Sequence, residues 1–150
     1  MKSDLIVMTF AREEDAFKAL SGLETMRDSQ LFGLENVVLV SRDSAGRAVV
    51  HQRWEPPAPT SSRLPSLVAD AVFGNSPQDG IHKLADAGLD EFFLKEVSEA
   101  LNPDSSALFI YVSQDSLADT HRLLKTLALL KGEVYHTTFS AAVEEAVLRR

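Results

Sequence analysis

Short apolar blocks alternate along this chain with stretches in which apolar residues return every third or fourth position. Leu5-Ile6-Val7-Met8-Thr9-Phe10 is short, β-branched and apolar on both alternating faces, which predicts a central strand. Residues 12–27 follow with Ala16, Phe17, Leu20 and Leu23 on one stripe, and Glu13, Glu14 and Asp15 where carboxylates favour the positive end of a helix dipole. A connector over 30–34 leads to a strand over 36–42. Asp43-Ser44-Ala45-Gly46 is turn chemistry, and 47–54 is the returning strand of a hairpin.

The pattern changes at Glu55. Residues 55–66 carry Pro56, Pro57, Pro59 and Pro65 among serines and a threonine, which predicts an extended, flexible linker. A helical insert is expected over 67–101. It comprises a short helix over 67–73, a turn at 77–80, a helix over 81–87 stopped by Gly88, and a helix capped by Asp90 that runs to Leu101. Phe93, Val97, Ala100 and Leu101 form the stripe of that last helix, with Phe92 pointing away from it. Residues 107–113 again read as a strand apolar on both faces. A possible capping box at Ser116 opens a helix over 116–130, Gly132 breaks it, and a strand over 133–139 and a helix over 141–150 close the chain.

A weak internal repeat organises these elements. Strand–helix–strand occurs over 5–41 and again over 108–140, which predicts an α+β fold, a ferredoxin-like antiparallel sheet built from two β-α-β halves. The strands at Leu5 and Leu108 should be central, with the 133–139 strand on one side and the 36–54 hairpin on the other. Two crossover helices cover only one face of such a sheet, yet both central strands are apolar on both faces. Burying each of these side chains is worth roughly 1.5–3 kcal/mol, so the second face needs a lid. The candidates are the 67–101 insert and a second subunit. Self-association as a homodimer or larger oligomer is therefore expected.

Composition narrows the setting. One domain of 150 residues, 45% hydrophobic and 25% charged, is of ordinary globular character. Cysteine is absent, which excludes disulfides, thiolate metal sites and cysteine nucleophiles. The net charge of −7 and the lack of a Lys/Arg cluster argue against nucleic-acid binding. No signal-peptide core and no apolar run of spanning length is seen, so the expected location is the cytoplasm of a bacterium.

Two segments carry a family resemblance. Leu84-Ala85-Asp86-Ala87-Gly88-Leu89-Asp90-Glu91-Phe92-Phe93 is one, and Leu101-Asn102-Pro103-Asp104-Ser105-Ser106-Ala107-Leu108-Phe109 is the other. Ser3-Asp4-Leu5-Ile6-Val7 and the 36–52 hairpin fit alongside them. Together they resemble DUF1269, a bacterial family of unknown function whose members often carry a membrane-protein label. In that family a long Gly/Ala-rich apolar segment occupies the place of residues 55–80. This chain has proline, serine and charges there, and Phe92 stands where the family usually has an acidic residue. The resemblance implies no activity, no cofactor and no functional residue.

Candidate chemistry is sparse. His51, His82, His121 and His136 show no metal-ligand spacing, and the topology puts His51 and His136 on opposite sides of the sheet. The acidic residues read as helix-start, cap and turn residues. No glycine-rich phosphate loop or nucleophile elbow is present, and neither a metal nor a cofactor is implied. Trp54, beside the proline-rich segment, is a candidate docking platform, and Phe92 a candidate contact residue. Tyr111, Tyr135, His51 and His136 complete the binding candidates. The expected function is a non-enzymatic binding or assembly module that self-associates through its sheet or insert. The alternative is a small-molecule sensor or small enzyme of the ferredoxin-like dimer type, with a pocket between sheet and insert. Membrane association through another protein is a third reading.

Overall fold

The structure, a computed structural model, describes residues 2–28, 34–54, 64–73, 77–113, 125 and 132–148. The elements run β1 (Lys2–Phe10), α1 (Asp15–Asp28), β2 (Leu34–Arg42), β3 (Ala48–Trp54), α2 (Leu64–Phe73), α3 (Pro77–Asp86), α4 (Glu91–Ala100), β4 (Ser106–Ser113), β5 (Glu133–Ser140) and α5 (Ala141–Leu148). The five strands form one antiparallel sheet in the order β3-β2-β4-β1-β5. The two apolar strands are central, the hairpin lies to one side and β5 to the other, consistent with a ferredoxin-like sheet extended by one hairpin strand. The helix expected over 116–130 lies outside the described residues, apart from Lys125, which is helical.

Of the boundaries that differ from the sequence reading, three have a clear physical reason. Residues 55–63 of the expected linker lie outside the described residues, its last part is helix from Leu64, and the turn expected at 77–80 is the first turn of α3. Pro65 and Pro77 cause no conflict, because a proline in the first helical turn lacks only an N–H that has no intrahelical acceptor. α1 begins at Asp15 rather than at residue 12. Its start is set from across the molecule: Ser106 Oγ on β4 accepts the Ala16 N–H at 3.1 Å and donates to the Arg12 carbonyl at 2.7 Å. A serine remote in sequence thus plays the part of an N-cap.

Each face of the sheet has its own core. On one face Ile6, Met8, Val37, Leu39, Leu108 and Ile110 pack with Ala16, Ala19 and Leu20 of α1. On the other, Leu5, Val7, Val38, Val40, Phe109 and Tyr111 are buried against α2, α3, α4 and α5. The covering residues include Val68, Val72, Leu84, Leu94, Val97 and Val147. The lid demanded by the two-faced strands is therefore the chain's own insert. The Phe73 ring meets Phe109 edge-on at 5.9 Å. The Arg42 guanidinium lies 5.4 Å from the Phe73 ring centroid, and its Nη1 donates to the Leu101 carbonyl at 2.8 Å. This one β2 side chain therefore contacts α2 and the end of α4 together.

The insert is closely packed within itself. A Cβ built on Gly80 of α3 would lie 2.4 Å from the Ala71 carbonyl oxygen of α2, whereas one on Gly22 of α1 would meet nothing within 4 Å. The same substitution should therefore act with opposite signs at the two positions. In urea unfolding, Gly80→Ala is expected to cost about 1–3 kcal/mol by forcing α2 and α3 apart. Gly22→Ala is expected to gain about 0.5–1 kcal/mol from the lower entropy cost of ordering alanine in a helix. Equal effects at the two sites would contradict this packing.

Candidate binding site

The turn between α3 and α4 sets the geometry of one open groove. Gly88 takes a φ of +114°, where side chains are disfavoured. Its N–H donates to the Ala85 carbonyl at 3.0 Å, and the Leu89 N–H reaches back to the Leu84 carbonyl at 3.1 Å. This paired closure ends α3, and the buried Leu84 and Leu89 accompany it. The chain then enters α4 at Asp90, whose Oδ1 accepts the N–H groups of Phe92 at 3.0 Å and Phe93 at 3.4 Å. With the first turn fixed, successive residues diverge by about 100° around the helix. Phe93 enters the core, and Phe92 is left 72% exposed. Glu96, four residues after Phe92, shares its side of the helix.

Opposite this turn runs β5, the last strand of the sheet. Its register sets Val134 against Met8, Tyr135 against Val7 and His136 against Ile6. Val134 and His136 therefore belong to the α1 face, and Tyr135 to the insert face. A groove of about 340 Å³ is lined by Asp90, Phe92, Phe93, Glu96, Val134, Tyr135 and His136. Three consecutive β5 residues, drawn from both faces, make up its sheet wall. The groove thus runs around the outer edge of the strand rather than over either face. Among the described residues β5 pairs only with β1, so its outer backbone is unpaired there.

The groove is acidic. Asp90 and Glu96 line it, and among the described residues no lysine or arginine does. Tyr135 Oη donates to Glu133 Oε2 at 2.8 Å. Partial burial, that hydrogen bond and the negative charges of Glu133 and Glu96 push the Tyr135 phenol up to about 12. The remaining polar wall is anchored from beneath. Asp4, wholly buried on β1, places Oδ1 2.9 Å from His136 Nε2, and Thr138 Oγ1 donates to the same oxygen at 2.6 Å. A carboxylate withdrawn from water needs such partners, and they hold the imidazole at the strand edge, 35% exposed. When Nε2 donates its proton to Asp4, a neutral ring offers Nδ1 as an acceptor.

Of the residues singled out from sequence, Phe92, Tyr135 and His136 meet in this groove. Tyr111 does not. It is buried on the insert face, its ring 6.1 Å from that of Phe139. His51 and Trp54 lie on β3, opposite Leu39 and Val37, at the far edge of the sheet. Their side chains are outside the described residues, as is all of His121. His82 is exposed on α3 beside Asp86, at 3.6 Å. The sequence reading did not find Glu96, Val134 or Asp4 as site residues, and saw Asp90 only as a cap. Asp4 did leave a signal: it is the one carboxylate in the row 4, 6, 8 that the β1 alternation sends inward. Among the described residues, no group of three or more His, Asp and Glu residues is placed to hold a metal ion, and no helix is long and apolar enough to cross a membrane.

Residues 66–150, which include α3, α4, β4 and β5, match the family model described as protein of unknown function (DUF1269). No curated protein and no solved structure matches the chain.

The raised tyrosine gives the site a pH signature. With Tyr111→Phe leaving Tyr135 as the only tyrosine, absorbance titration should show a midpoint at about 12. Glu133→Gln should lower it toward the ordinary value near 10. Because folding favours the neutral phenol, its contribution to stability is intact below about pH 10 and is lost as pH rises through about 12. A midpoint near 10 that ignores Glu133→Gln would contradict the assigned hydrogen bond.

Proposed function

The chain belongs to the DUF1269 family, and from that premise, which supplies no activity, we propose that it is a binding and assembly module that takes an extended segment of another polypeptide along the outer edge of β5. One observation carries this reading: the groove is formed by consecutive residues 134–136 from both faces of an edge strand, with Phe92 exposed beside them. A strand added there would gain main-chain hydrogen bonds from β5 and apolar contact from Phe92 and Val134. The carboxylates of Asp90 and Glu96, with no lysine or arginine lining the groove among the described residues, favour a segment carrying arginine or lysine. A cytoplasmic setting in a bacterium belongs to the same proposal and is in keeping with a sequence that has no cysteine.

The alternative, a small-molecule sensor, has one observation in its favour. His136 and Tyr135 converge on a volume of about 340 Å³, at the small end of ligand sites. Strand addition is preferred because that volume opens along a backbone edge, where a compact molecule would be poorly enclosed.

Blocked hexapeptides of alternating arginine and valine, and of alternating glutamate and valine, discriminate the readings. The basic peptide should bind, with NMR amide shifts concentrated over residues 133–140, and the acidic one should not. Phe92→Ala should weaken binding by about tenfold, as loss of an aromatic anchor does. The same variant should change stability by less than about 0.5 kcal/mol, because the ring is mostly in water. Failure of the basic peptide to shift the β5 amides would overturn the proposal.

A further inference from the structure

Resting on the strand-addition reading, we propose that the segment received by β5 is β3 of a second copy of this chain, so that copies extend one another's sheet head to tail. The exposed large apolar residues point to the two sheet edges. Among the described residues there are four, and three of them are Val49 on β3, Val134 on β5 and Phe92 beside β5, at 47%, 37% and 72% exposure. The two valines also lie on the same side of the sheet. Val134 is opposite Met8, in the α1 core. Val49 is opposite Ser41, two residues along from Leu39 of the same core. In a continued sheet, pairing β5 of one copy with β3 of the next therefore brings these valines onto the same face of the joined sheet.

Strand direction agrees. Each neighbouring pair in the order β3-β2-β4-β1-β5 is antiparallel, so β3 and β5 run parallel to each other. A second copy set beside the first without being turned over presents β3 to β5 with both layers of helices in register.

Charge selects this arrangement over a symmetric one. The β3 sequence, AVVHQRW, contains no carboxylate. β5 holds Glu133 and no lysine or arginine, and Asp90 and Glu96 lie beside it. Two β5 edges brought together would oppose acid with acid, whereas β3, a strand with no carboxylate in its sequence, brings no such repulsion to β5. An interface between edges that differ leaves one free edge at each end of a pair, so assembly can continue past the dimer. One strand pair is a small contact, and each copy carries −7, so association is weak and depends on concentration.

Sedimentation velocity over a concentration series tests this with two edge variants, Val49→Lys and Val134→Lys. Both positions are exposed, so both proteins should keep the wild-type circular dichroism and unfolding curve. Wild-type mass should rise past the dimer with concentration, and each variant alone should stay monomeric. Their equimolar mixture should form a dimer and stop, because one retains a working β5 edge and the other a working β3 edge. Growth of Val49→Lys like wild type would assign the contact to β5 alone and overturn the proposal. A mixture that stays monomeric, or a wild type monomeric throughout, would overturn it too. If wild type stays monomeric yet the basic peptide binds at β5, strand addition stands and self-assembly falls. If neither occurs, both fall.

Discussion

Two central strands that are apolar on both faces impose the main constraint on this molecule. β1 sends Leu5 and Val7 to one side and Ile6 and Met8 to the other. β4 does the same with Phe109 and Tyr111 against Leu108 and Ile110. Leaving either set in water would forfeit several kcal/mol, a large part of the stability of a domain this size. The chain meets that demand internally. α1 closes one side, and the insert folds back to close the other. The contacts of Arg42 with Phe73 and with the Leu101 carbonyl join the sheet to this second layer.

Once both faces are occupied, what the sheet can still offer is its edges. The need for a lid gave the original reason to expect self-association, and that reason disappears when the insert proves to be the lid. The exposed valines on β3 and β5 give a different reason, located at the rim. A sheet whose faces are buried and whose outer strands have no further partner among the described residues is a template for another strand unless its edges are protected. Here neither described edge contains a lysine or a proline within the strand, two of the usual means of blocking addition.

Much of this fold was legible because it rests on local pattern. Alternation located the strands, the stripe of α4 separated Phe93 from Phe92, and Asp90 and Gly88 marked the ends of helices by their known geometry. What escaped depended on partners far away in sequence. Nothing near residue 12 indicates that Ser106 will hold the start of α1. Pro65 and Pro77 read as breakers because proline is incompatible with a helix interior, and only the helix start reveals them as compatible. Half of the groove was visible in advance: Phe92 as an aromatic out of pattern, and Tyr135 and His136 as polar handles on a strand. Their meeting with Glu96 required knowing that α4 packs beside β5, which follows from the packing of the insert and not from spacing. Tyr111 shows the converse. A tyrosine in a two-faced apolar strand is core by pattern, and its hydroxyl alone made it a candidate.

The groups around the groove are arranged to hold its shape, which supports the strand recognition proposed for it. Asp90 is engaged by the N–H groups of Phe92 and Phe93. Tyr135 is held by Glu133, and its phenol, pushed up to about 12, is poorly suited to lose a proton near neutrality. The Asp4–His136 pair has the geometry of an oriented imidazole, but the groove is open to water, and among the described residues no serine, threonine, cysteine or lysine lines it. Asp4 and Thr138 fix His136 at the strand edge, the α4 cap fixes Phe92 across from it, and the backbone of residues 134–136 runs between the two. Rigid walls on either side of an unpaired strand lower the entropy cost of adding another strand there. Under the proposed strand addition, the buried carboxylate is part of the frame that holds the edge for pairing.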